Sequence, residues 1–214
     1  MSFIKSISIL TQALVNEYMN LFNQAQIKPG AESKVKAAYT QLVANKRRYE
    51  AVADRFNAIG IPWYLIGILH MRESTYNFSK HLHNGDPLTG KTYSVPAGRP
   101  LFPPAAGLGR PYSWEESAFD AISLMLQESP SWRNYQQDGS VPSLLNKMET
   151  FNGAYYRRIL VPIPSPYLWS DSTIQQPGKF IGDGTYSART VDQQVGGATL
   201  LKYFLEQEAK KKVV

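Results

Sequence analysis

The chain has no cysteine and only three histidines. Without thiols there are no disulfides, thiolate metal sites or catalytic cysteine, although this alone says nothing of compartment. The three histidines, His70, His81 and His83, do not fall at the i, i+4 spacing of a helical two-histidine metal site, so no metal or cofactor is expected. Long apolar runs are also missing. The most apolar stretches, residues 61–69 and 118–126, fall well short of the roughly 18 residues that read as a membrane span. A short apolar patch at 7–10 follows Lys5 but is interrupted by Gln12, Asn16 and Glu17, so no export signal is expected. No basic segment is interleaved with aromatics as an RNA-binding sheet requires, and no zinc-finger spacing occurs.

What is present is a surplus of positive charge. Lys and Arg number 23 against 17 Asp and Glu, a net +6. That balance favours an anionic partner such as nucleic acid, anionic lipid or bacterial cell wall. The C-terminal basic cluster, 210–212, reads as a helix end rather than a binding motif. Hydrophobic residues make up 43% of 214, enough for one sizeable core, and a single domain over 1–214 is expected, with N-terminal helices 1–60 packed on a core at 61–209.

Apolar positions near a 3.6-residue period predict a helix over 5–25, on Ile9, Ala13, Leu14, Tyr18, Leu21 and Phe22, and a second over 32–59, on Val35, Ala38, Leu42, Tyr49, Val52 and Phe56. Gly60 ends the second, and Pro62 opens a third at the position where a missing N–H costs nothing. Residues 63–71 are apolar nearly all round, which predicts a buried helix. From 75 to 113 periodicity disappears and Pro and Gly dominate; a connection this long usually serves function. Within it Asn84-Gly85-Asp86-Pro87 is a turn, and 91–95 fits a short strand of a hairpin. Ser113 with Glu116 predicts a capping box opening a helix over 114–128. Glu115, Glu116 and Asp120 are assigned to complementing that helix's dipole. Further helices are expected near 142–151 and 190–209, with 160–190 a surface loop.

The buried helix delivers one carboxylate, Glu73, to its exit from the core. Burial disfavours the charged form and raises a carboxyl pKa, as a general acid working near neutrality requires. Glycoside cleavage needs such an acid at the leaving oxygen and, in most families, a second carboxylate. Asp86 fits the second role, with the Thr89 and Thr92 hydroxyls able to orient a water. Asn152, Tyr155, Tyr156, Tyr167 and Trp169 in later loops suit a sugar chain, which offers apolar ring faces and many hydroxyls.

The segment 68–74, ending Arg72-Glu73-Ser74, with Asn84-Gly85-Asp86 and Phe151-Asn152-Gly153 after it, resembles the lysozyme-like superfamily: goose-type lysozymes, lytic transglycosylases and phage endolysins. The resemblance implies a mostly α, lysozyme-like α+β domain with a buried central helix and a small β-hairpin in the active-site loop. It implies a muramidase cleaving the β-1,4 bond between N-acetylmuramic acid and N-acetylglucosamine. Glu73 would be the acid, Asp86 would assist water, and Ser74, His81, His83, Asn152, Gly153, Tyr155, Tyr167 and Trp169 would contact substrate. The implied partner is the peptidoglycan glycan strand, with neither nucleic acid nor stable membrane insertion. The protein would be cytoplasmic as synthesised and reach the wall after holin-type release or as part of a phage virion or injection machine. Pro87-Leu88-Thr89-Gly90 stands where transglycosylases and goose-type enzymes carry Gly-Leu-Met-Gln. That departure leaves a lytic transglycosylase using Glu73 alone as one alternative; a separate one is an inactive cell-wall-binding or structural component of a phage tail or injection device.

Overall fold

The structure, a computed structural model, describes residues 10–103, 112–133, 139–158, 163–182 and 184–212, with Tyr155 and Arg158 described by backbone alone. It is mostly helical with one small antiparallel sheet. The chain divides into two compact units, the first made of residues 1–41 and 140–214, the second of 42–139. The N-terminal segment thus belongs to the same unit as the C-terminal one.

In the first unit, α1 (Gln12–Gln24) is capped by the Thr11 hydroxyl, which accepts from Leu14 N, and it buries Leu14, Tyr18 and Phe22. Ile9, assigned to this helix by periodicity, lies outside the described residues. Helix α2 (Glu32–Ala44) buries Val35, Ala38 and Leu42 and crosses the boundary between the units at its last turn. The predicted helix over 32–59 is broken: Asn45 leaves helical geometry (φ −100°, ψ 11°), α3 (Lys46–Ala53) follows, and a 3₁₀ turn at Asp54–Phe56 leads to Gly60 at φ +76°. The apolar stripe survives the break, because Tyr49, Val52 and Phe56 are all buried.

Helix α4 (Trp63–Ser74) begins after Pro62, and every residue from Leu65 to Arg72 is buried. Leu65, Ile66, Ile68 and Leu69 have no exposed surface, each such burial contributing about 1.5–3 kcal/mol. Gly67 lets α4 approach its neighbours: a Cβ there would lie 2.3 Å from Leu42 Cδ1 and 2.9 Å from Tyr49 Cε2. Helix α5 (Trp114–Glu128) carries the expected capping box, with Ser113 Oγ accepting from Glu116 N at 3.2 Å and Glu116 accepting from Ser113 N at 2.7 Å. A short α6 (Pro130–Arg133) follows.

Back in the first unit, α7 (Val141–Phe151) is buried over 142–149 and packs on α1. After it come α8 (Tyr155–Arg158) and α9 (Pro166–Trp169). Strands β1 (Lys179–Gly182) and β2 (Thr185–Ser187) pair antiparallel, with Phe180 opposite Tyr186. The hairpin was expected at 91–95, in the loop after α4; the described residues there form turns held by side chains, and the sheet lies instead in 160–190, expected to be loop. Helix α10 (Gly197–Lys211) starts later than the predicted residue 190, with Gly196 as its extended N-cap (φ −70°, ψ 146°); that glycine is pressed against backbone, since a Cβ there would sit 2.3 Å from Leu168 O.

Candidate functional site

Glu73 occupies the last turn of α4, half-buried, directly after eight consecutive buried residues. The helix stops by turning left-handed at Thr75 (φ 53°), and Tyr76 repeats it (φ 62°). Two successive non-glycine residues in that region cost on the order of 1–3 kcal/mol each, a strain that clusters at functional sites. Ser74 Oγ lies 3.4 Å from both His70 O and Asn77 O, so it serves this exit turn.

The loop folds back onto that end of the helix. His81 N donates to Asp86 O at 2.6 Å and Gly85 N to His81 O at 3.0 Å, while Asn84 Oδ1 accepts from Asp86 N at 3.0 Å. Gly85 sits at φ +77°, and a Cβ there would lie 2.7 Å from the backbone oxygen of Glu73. Only glycine fits this contact, which brings the Asn84–Asp86 turn against the helix end that bears the acid.

Asp86 is 5% exposed. Its Oδ2 accepts from Tyr93 N at 2.9 Å and Ser94 N at 2.8 Å, and its Oδ1 accepts from Ser94 Oγ at 2.9 Å. Burial works to raise its pKa, but the Ser94 and Tyr93 donors outweigh it and hold the carboxyl below the ordinary range. The carboxylate therefore clamps the loop. Thr92 behaves similarly: its hydroxyl donates to Pro96 O at 2.6 Å and accepts from Arg99 N at 2.9 Å, so its proton is spent inside the loop rather than free to orient a water. Thr89 is exposed.

His81 and His83, expected to contact substrate, are buried instead. The two nitrogens of His81 meet Ser117 Oγ at 2.9 Å and Gly90 O at 2.8 Å, and burial lowers its pKa. His83 Nε2 lies 2.8 Å from Asp120 Oδ2, and Arg99 Nε lies 2.9 Å from the same oxygen. Asp120 stands six residues into α5, beyond the reach of a dipole role, and joins loop to helix. The spacing of His83, Arg99 and Asp120 has no local period, so nothing in the sequence marks this pairing beyond a carboxylate inside the apolar stripe of Ala118 and Ile122.

The remaining residues expected at the sugar lie in the first unit. Asn152 caps α7 and Gly153 follows at φ +79°, both half-buried. Tyr167 and Trp169 are 5% and 1% exposed and belong mainly to the core, because α9 packs on both α7 and α10. The Tyr155 side chain lies outside the described residues. Among the described residues no cluster of three or more His, Cys, Asp or Glu is arranged to hold a metal, and no helix is long and apolar enough to cross a membrane. Compared with known proteins, the chain matches no family model, no curated protein and no solved structure.

Proposed function

We propose that the protein cleaves the β-1,4 glycosidic bond of peptidoglycan, with Glu73 as the general acid. The observation that carries this reading is the placement of Glu73: a half-buried carboxylate at the mouth of a buried helix, with a turn fixed against its own backbone by Gly85. An acid in such a position can meet the glycosidic oxygen from the edge of an apolar environment, and general acid catalysis of this kind contributes about 10²–10⁴-fold. The lysozyme-like resemblance of 68–74, 84–86 and 151–153 supports the same assignment and the same bond. In the hydrolytic form of the proposal, Asp86 and Thr89 align the attacking water while Thr92 closes the loop behind them. A net charge of +6 suits an anionic wall, and release through a holin or carriage on a phage particle would bring the protein to it.

A second reading is favoured by one observation: three donors from Tyr93 and Ser94 already engage the Asp86 carboxylate. Glu73 would then act alone, first as acid and then as base, as in a lytic transglycosylase, and leave an anhydro-sugar.

Glu73→Gln should lower clearing of purified peptidoglycan about a hundredfold or more while circular dichroism stays unchanged. Full clearing by that variant overturns the assignment. Mass spectrometry of the digest separates the two routes, since transglycosylation yields products lighter by one water than hydrolysis.

A further inference from the structure

The first unit holds a pocket of about 390 Å³ between α1, α7 and the segment leading into α9, within the roughly 300–1,000 Å³ range of small-molecule sites. Its polar lining is unusual in what is left unspent. Ser165 is the N-cap residue of α9, yet its side chain makes no capping bond; it is 3% exposed and its Oγ has no hydrogen-bond partner among the described residues. Buried hydroxyls are normally satisfied, so an orphan lining a pocket calls for a partner. Glu149, 2% exposed, lines the same pocket. Its Oε2 accepts from both the Tyr18 hydroxyl, at 2.5 Å, and Arg157 Nε, while Oε1 takes no hydrogen bond from any described residue. Arg157 also pairs with Glu17, Nη2 to Oε1 at 3.0 Å. Leu21, Tyr156 and Trp169 supply apolar lining.

These groups restrict the ligand's chemistry. An anion would meet two carboxylates whose single facing cation is already shared between them. An ammonium group would have to compete with Arg157, which is in contact with Glu149, on a chain of net charge +6. A neutral ring bearing several hydroxyls suits this lining, one hydroxyl donating to Glu149 Oε1 and another exchanging a bond with Ser165 Oγ, while a C–H face of the ring lies against Leu21, Tyr156 and Trp169. We propose that this pocket is a binding site for an uncharged, hydroxyl-rich ring, a sugar or cyclic polyol, with Ser165 and Glu149 as its polar contacts. The site is independent of Glu73 and of the reaction proposed for it.

The test titrates the full chain with N-acetylglucosamine and with myo-inositol, following the Trp169 indole N–H and Ser165 amide signals by NMR, with cadaverine and inorganic phosphate as charged probes. A monosaccharide has no glycosidic bond to cleave, so the result is separate from the fate of the Glu73 assignment. The expected result is saturable shifts with one or both neutral rings and none with the charged probes. Ser165→Ala should weaken binding about fivefold, the effect of one neutral hydrogen bond, with an unchanged melting temperature, and Leu21→Trp should fill the pocket and abolish the shifts. Shifts produced by cadaverine or phosphate alone overturn the ligand class. No shift with any probe, or undiminished binding by Ser165→Ala, overturns the site.

Discussion

Gly85 and His70 show how much a single residue contributes to the end of α4. Gly85 has two reasons to be glycine, its φ of +77° and the Glu73 oxygen 2.7 Å from where a Cβ would stand. Gly85→Ala should destabilise the protein by about 1–3 kcal/mol, seen as a lower urea midpoint, and should lower clearing of peptidoglycan by displacing the loop from the acid; an unchanged midpoint with full activity would argue against this contact. His70, three residues before Glu73, is fully buried against Tyr49, Phe78 and Trp114 and accepts or donates one bond at 3.1 Å with the Tyr49 hydroxyl. Burial pushes its pKa from 6.5 down to about 4. Between those values the unfolded chain binds a proton that the native state does not, so this imidazole makes stability rise with pH from about 4 to 6.5 and fall on acidification. The full effect is on the order of 3 kcal/mol. Melting curves across that window should be flatter for His70→Phe than for the parent protein, and equal slopes would remove His70 as the cause.

At the scale of elements, the loop over 81–103 is ordered by polar side chains where a sheet was expected. Asp86 gathers Tyr93 and Ser94, Thr92 closes onto Pro96 and Arg99, and the His83–Asp120–Arg99 group ties the loop to α5. Asp86→Ala should free the donors at 93 and 94, so hydrogen exchange at those two amides should rise while exchange across α4 stays slow. Its stability cost is about 1.5–3 kcal/mol, the range for hydrogen bonds to a charged group. Because the native Asp86 pKa is depressed, this contribution is present above the ordinary carboxyl range and is lost as pH falls through the native value. Slow exchange at 93 and 94 in the variant would mean that some other contact holds the loop.

For the whole molecule, the surplus of six positive charges acts at long range and is screened by salt. The Debye length is roughly 10 Å at 0.1 M and 3 Å at 1 M. Co-sedimentation of the Glu73→Gln variant with insoluble peptidoglycan should therefore weaken steadily as sodium chloride rises over that range. Binding indifferent to salt would assign the affinity to short-range contacts and leave net charge without a role.

The amino-acid sequence by itself determined what depends on neighbours along the chain. The burial of α4 followed from an apolar run with no polar face, its start from Pro62, the opening of α5 from Ser113 and Glu116, and the turn at 84–86 from Asn-Gly-Asp. The position of Glu73 at the end of α4 followed from the same local pattern. Only the tertiary structure decided which distant residues meet. The interruption at Asn45 divided a segment that read as one helix while leaving its apolar stripe buried, and residues 1–41 joined 140–214. His81 and His83 were drawn inward, since their nitrogens find Ser117, Gly90 and Asp120 only after the loop has folded onto α5. The unspent Ser165 hydroxyl was likewise invisible in sequence, where a serine before a proline-led helix reads as an ordinary cap. Helical periods and turns are short-range steric facts, whereas the pairing of buried polar groups depends on which surfaces the folded chain brings together.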